Sequence, residues 1–104
     1  MKGEETMNIN KTRFGDALTI DVNGRLDTTT APALETALSE ALDGVTDLTF
    51  NFEGLEYISS AGLRVLLATQ KRMNRQGAMR VKNVCGEIRE VFDITGFSDF
   101  LTIE

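Results

Sequence analysis

The chain has 104 residues, 41% hydrophobic and 26% charged, with a formal net charge of −5, no histidine and one cysteine: enough for one domain and too few for two. Without histidine, neither a Ser–His–Asp triad nor a Cys–His dyad can be built, and the usual zinc ligand sets go with them; the lone Cys85 excludes an internal disulfide. The acidic balance argues against nucleic acid and anionic membranes as default partners, and no apolar run is long enough to span a bilayer.

Residues 1–7, MKGEETM, form a loose polar tail without the basic-then-apolar pattern of a secretory leader, so a flexible N-terminal tail and a cytoplasmic location are expected. One domain is expected over residues 8–104. Asn8–Arg13 carries a weak strand signal, and the glycine of the following FGD favours a turn. Leu18, Ile20 and Val22 alternate with Thr19, Asp21 and Asn23, the period of a half-buried strand paired with the first as a hairpin.

GRLDTTTAP comes next. Pro32 suits the first turn of a helix, and the threonines before it are capping residues. Leu34, Ala37, Leu38, Ala41 and Leu42 mark one face of a helix over 32–43, which Gly44 ends. Leu48, Phe50 and Phe52 alternate with polar residues and predict a strand over 48–53. EGLEYISSAG is a connection, and Leu63, Leu66, Leu67 and Met73 line a second helix over 61–76. Met79 and Val81 make a short strand, and Cys85 is expected as a small buried residue among Val81, Val84 and Ile88. Ile88, Val91, Phe92 and Thr95 have helical spacing, Gly96 stops that helix, and FLTI adds a last strand. Phe92 and Phe97 are assigned to the core.

The order is thus β-β-α-β-α-β-α-β. Strand–helix alternation after an opening hairpin specifies a single α/β domain: a mostly parallel, four- to five-stranded mixed sheet with right-handed crossovers and three main helices.

The loop before the second helix follows a strand's carboxyl end, the edge where sites form in open α/β sheets. Ser59 and Ser60 stand there. A serine caps exposed backbone N–H groups at a helix start. The same place tolerates a phosphate, because the N–H donors and the helix dipole favour an anion. Ala61 and Gly62 are expected to leave the hydroxyl open to another protein. Asp27, at the end of the preceding strand, is expected on the same edge, either beside the serines or capping the turn before the first helix. Lys71, Arg72, Arg75 and Arg80 come close to forming a basic face and are read as a solvated one. No GxxxxGK[ST] phosphate loop is present, and no set of residues suited to catalysis or metal binding stands out, so no enzyme, cofactor or metal is expected.

GRLDTTTAPALETAL, LTFNFEGLEYISSAGLRVLLATQKR and VCGEIREVFDITGFSDFLTI resemble, in this order, the STAS domain family, and within it the bacterial anti-sigma factor antagonists. The resemblance covers about Asn8 to Ile103. It implies a small mixed sheet packed with helices and a phosphorylated serine at the start of the second helix. The family pattern Asp-Ser-(Ser/Thr)-Gly-Leu falls on Ser59, Ser60, Ala61, Gly62 and Leu63, which makes Ser60 the phosphorylation site, with Ser59 the alternative and also the replacement for the usual aspartate. Asp27 matches the acidic residue of the family's strand-end block.

Two functions are implied. In the first, the unphosphorylated domain captures an anti-sigma factor with serine kinase activity and frees a sigma factor. Phosphorylation of Ser60 ends the capture, and a serine phosphatase restores it; nucleic acid is not contacted directly and no membrane is entered. The contact surface then comprises Asp27, Thr28, Thr29, Thr30, Ser59, Ser60, Ala61, Gly62, Leu63 and Arg64. In the second, the domain is a constitutive regulatory subunit of a transporter or stress-signalling complex, and Ser60 is a cap only.

Overall fold

Strand alternation at the start of the chain builds a hairpin. In the computed structural model, which describes residues 7–104, β1 (Met7–Phe14) runs antiparallel to β2 (Ala17–Leu26) across a two-residue turn. Gly15 takes φ +64° there, a left-handed angle that glycine adopts without steric cost. The tail expected over 1–7 lies outside the described residues except for Met7, which is the buried first residue of β1.

The chain then forms α1 (Ala31–Ala41), β3 (Asp47–Asn51), β4 (Leu55–Ile58), α2 (Ser60–Gln76), β5 (Ala78–Lys82) and α3 (Gly86–Thr95), followed by a 3₁₀ turn over Phe97–Asp99. The sheet order is β1-β2-β3-β5, with β4 also on β2. Only β1 is antiparallel; β3 pairs with β2 and β5 with β3 in parallel. The expected mixed, mostly parallel sheet with three helices is what the chain forms.

Register sorts the side chains. Leu18, Ile20 and Val22 of β2, Leu48 and Phe50 of β3, and Met79 and Val81 of β5 are buried. They share one core with Leu34, Leu38 and Leu42, with Leu63, Leu66 and Met73 of α2, and with Ile88 and Phe92 of α3. The alternate residues Thr19, Asp21, Thr49 and Asn51 are half-exposed on the sheet's other face, which is the period-two rule at work. Arg80 belongs to that polar face, bonded to Asp47 at 2.7 Å with Glu104 at 3.5 Å. It is thereby separated from Lys71, Arg72 and Arg75, with which its sequence position grouped it.

Three local expectations change. LEYI, inside the expected connection, is β4: it pairs in parallel with Gly24–Leu26. β2 is twice as long as β3, so its second half presents backbone donors and acceptors that β4 satisfies. The final FLTI contributes one parallel bridge, Val81 to Ile103, and its first residue, Phe100, is the C-cap of the 3₁₀ turn. Cys85 is exposed, not buried. It is the N-cap of α3, where the chain turns outward, while Val84 packs against the core and Ile88 lies within it.

Candidate functional site

Two parallel strands end side by side. Leu26 of β2 faces Ile58 of β4, and the Ser59 amide donates to the Leu26 carbonyl at 2.9 Å. The next residue of each strand, Asp27 and Ser59, therefore opens a loop at the same edge of the sheet. The expected proximity of Asp27 to the serines is a direct result of this pairing.

The two serines do different things. Ser59 is the N-cap of α2, with φ −101° and ψ 176°, and its Oγ accepts from the Gly62 amide at 3.4 Å. That is a long bond and a weak one. The Leu63 amide donates to the Ser59 carbonyl at 2.9 Å. Ser59 is half-buried; Ser60, the first helical residue, is exposed and takes no part in the cap. The first turn of α2 holds no acidic residue, so its positive end is not neutralised from within the helix. Arg64, one turn on, is also exposed.

Gly62 has a role other than the expected one. It is buried, and a Cβ built on it would stand 2.7 Å from Leu26 Cγ and 2.9 Å from Ile58 Cγ1. Its small size seats the helix on the strand ends; it does not open the serine to solvent. Leu63 is buried as well. Of the expected contact surface, Gly62 and Leu63 lie beneath it because their side of the first turn faces the core. Ala61 is half-exposed beside Ser60.

Asp27 organises its own loop. Its Oδ1 accepts from the Thr29 amide at 3.0 Å, the Thr29 hydroxyl at 2.8 Å and the Thr30 amide at 3.1 Å. The Thr29 hydroxyl is the largest cause holding the Asp27 carboxyl below the usual carboxylate range; desolvation opposes it, and the Thr30 and Thr29 amides and Thr30 hydroxyl add to the lowering. Thr30 is the N-cap of α1, yet its hydroxyl does not cap. That oxygen accepts from the Asp27 amide and donates to the Arg25 carbonyl, both at 2.8 Å. The Asp27 carboxylate ties down the loop amides of Thr29 and Thr30 just before α1, and the first α1 amide, that of Ala31, donates to the Asp27 backbone carbonyl at 2.8 Å. Thr28 and Thr29 are exposed and Thr30 half-buried.

A shallow groove of about 210 Å³ joins the two loops, walled by Thr28, Pro32 and Glu35 on one side and Ala61 and Arg64 on the other. Behind Asp27, the Arg25 guanidinium sits 4.2 Å from the centre of the Tyr57 ring and 3.7 Å from the Asp27 carboxylate. Sequence reasoning missed Pro32 and Glu35 as site walls and the Arg25–Tyr57 pair. Each is ordinary within its own element, and only the β2–β4 pairing brings Tyr57 to Arg25. Among the described residues no group of three or more His, Cys, Asp and Glu could hold a metal ion, and no helix is long and apolar enough to cross a membrane.

The STAS domain family model matches residues 8–104. The chain belongs to the STAS domain family. An anti-sigma-B factor antagonist of Staphylococcus aureus is 31% identical over 93% of this STAS domain and 92% of its own length. An anti-sigma factor antagonist from Mycobacterium paratuberculosis superposes with a TM-score of 0.86 over 99% of this chain and 89% of that one, at 22% identity. SpoIIAA of Bacillus in its phosphorylated form superposes with a TM-score of 0.72 over 94% of this chain and 90% of that one, at 21% identity. These two structural likenesses establish the fold of the STAS domain.

Proposed function

We propose that this STAS domain is an anti-sigma factor antagonist whose contact surface is switched by phosphorylation of Ser60. It acts by binding and not by catalysis. The unphosphorylated form captures an anti-sigma factor that is also a serine kinase, which frees the sigma factor; the phosphorylated form lets go, and a serine phosphatase resets it.

The observation that carries the reading is the division of labour between the serines. Ser59 holds the helix cap and Ser60 stands exposed beside it. A phosphate on Ser60 meets the free N–H groups and positive end of α2, with Arg64 one turn along the same helix. It adds about −1.5 to −2 charges at pH 7 without displacing a buried group. The domain stays folded while the surface turns repulsive to a partner shaped for a neutral hydroxyl. The S. aureus relative supports the antagonist role by its name, and the phosphorylated SpoIIAA structure shows that a domain of this fold exists in that form.

The test is to incubate the protein with its cognate anti-sigma factor and ATP and to map phosphate by mass spectrometry. Stoichiometric labelling at Ser60, lost in Ser60→Ala and kept in Ser59→Ala, is expected. Labelling at Ser59 alone, or none, overturns the assignment.

A further inference from the structure

Helix α2 gathers positive charge in a domain that is acidic overall. From Tyr57 to Gly86 the sequence holds no aspartate or glutamate, and α2 carries Arg64, Lys71, Arg72 and Arg75. The ion pairs among the described residues use Arg25, Arg80 and Arg89. The cations of α2 thus have no carboxylate partner among the described residues.

These cations border a trough. Between α1 and α2 lies a depression of about 140 Å³ with Leu38, Leu42, Val65 and Ala68 as its apolar walls and Arg72 at its edge. It shares Glu35 and Val65 with the groove beside Ser60. It shares Ala68 and Arg72 with a broader recess of about 490 Å³ walled by Lys71, Arg75 and Gln76. The three adjoin one another along α2, from the groove next to the exposed serine to the far end of the helix; the first two lie between α1 and α2, and the last is walled by α2 alone.

We infer that this trough is a second docking site, which receives an acidic, amphipathic segment of a protein partner. The inference rests on the reading of the domain as a partner-binding module, but not on Ser60 being its switch. Apolar side chains of the segment pack on the exposed Ala68 and the small accessible edges of the otherwise buried Leu38 and Val65, and its carboxylates meet Lys71, Arg72 and Arg75. Charge complementarity selects the occupant. A flat anionic membrane or a nucleic-acid rod on the same strip also meets the exposed Glu40 and Asp43 beside it and the −5 of the whole chain; a slender segment seated over Lys71, Arg72 and Arg75 meets only Glu35 of the trough's own walls.

Lys71 and Arg75 stand about 17 to 23 Å along the helix from Ser60 at ~1.5 Å per residue. That is at least two Debye lengths at physiological salt, about 8 Å each. A phosphate on Ser60 therefore leaves the far end of the trough electrostatically intact, and a released partner stays loosely tethered there.

The test is an NMR titration of the isotope-labelled protein with a synthetic amphipathic helix, leucines on one face and glutamates on the other, and with a twin carrying lysines for glutamates. The acidic peptide is expected to move amide resonances of residues 35–42 and 64–76 and to bind at least about tenfold more tightly than the twin. Raising salt from about 0.05 to 0.5 M removes that advantage. Lys71→Glu/Arg75→Glu, both exposed positions, weakens it about tenfold with an unchanged circular dichroism spectrum, whereas Ser60→Asp binds within about twofold of wild type. No binding of the acidic peptide, equal binding of both peptides, or shifts confined to another face overturns the inference. So does peptide-free binding to phosphatidylglycerol vesicles that the double substitution abolishes, which would make the strip a membrane site. Failure of a kinase to label Ser60 leaves every one of these arms standing, so the two readings fail separately.

Discussion

Adjacent serines with the same hydroxyl are set apart by one step of backbone. Ser59 keeps the extended angles of a cap and Ser60 the helical ones of the first turn. Their substitutions are expected to separate accordingly. Ser59→Ala removes a cap bond and lowers stability by about 0.5–1 kcal/mol, the weak end of the capping range because the bond is long. Ser60→Ala stays within about 0.5 kcal/mol of wild type, as for an exposed residue outside any cap. Urea denaturation of both variants checks the pair, and a larger loss for Ser60→Ala would mean the caps are assigned the wrong way round. Asp27 gives a pH signature. Its carboxyl is held below its unfolded value in the native state, so its ionised form stabilises the fold above an unfolded pKa of about 3.9, and that contribution is lost as pH falls through the folded value. Asp27→Asn is therefore expected to melt below wild type at neutral pH, with the gap closing in acid below about pH 4. A gap independent of pH would assign the effect to geometry and not to charge.

At the scale of elements, the position of α2 depends on a missing side chain. Gly62 lets the first turn rest on Leu26 and Ile58. Gly62→Ala gains helix propensity, worth about 1 kcal/mol, but forces a methyl group into two buried residues, which costs about 1–3 kcal/mol. Thermal denaturation is expected to show a net loss, and partner affinity is expected to fall with it, because the turn that presents Ser60 must tilt. The helices were legible in the sequence through their apolar spacing, and β2 and β3 through alternation. β4 was not: its four residues are buried only at the ends, Leu55 and Ile58, so no period of two marks it. Its pairing depends on an open stretch of β2 distant in sequence, and no local pattern encodes that. Thr30 shows the same limit, because a capping position is a local property while the partners its hydroxyl takes, the Asp27 amide and the Arg25 carbonyl, are settled by distances across the loop.

Across the whole molecule, the fold places the exposed Ser60 hydroxyl, the proposed switch, at the start of α2 and Lys71, Arg72 and Arg75 toward its far end. With the cognate anti-sigma factor, Ser60→Asp is expected to weaken binding at least about tenfold, or about 1.4 kcal/mol, while Ser60→Ala binds as wild type does. Isothermal calorimetry decides between them, and equal affinities for all three forms would leave Ser60 without a switching role. The sequence by itself determined the α/β class, the order of the main elements and the family likeness, and it pointed to the sheet edge of the candidate site, because each is written in patterns along single segments. Only the tertiary structure decided which serine caps and which is free, that Gly62 and Leu63 support the surface from beneath, that Cys85 faces outward, and that Arg64 and Arg72 of α2 border depressions shared with α1. Those outcomes depend on the packing of segments remote in sequence, where burial and backbone pairing, and not local periodicity, set the position of each side chain.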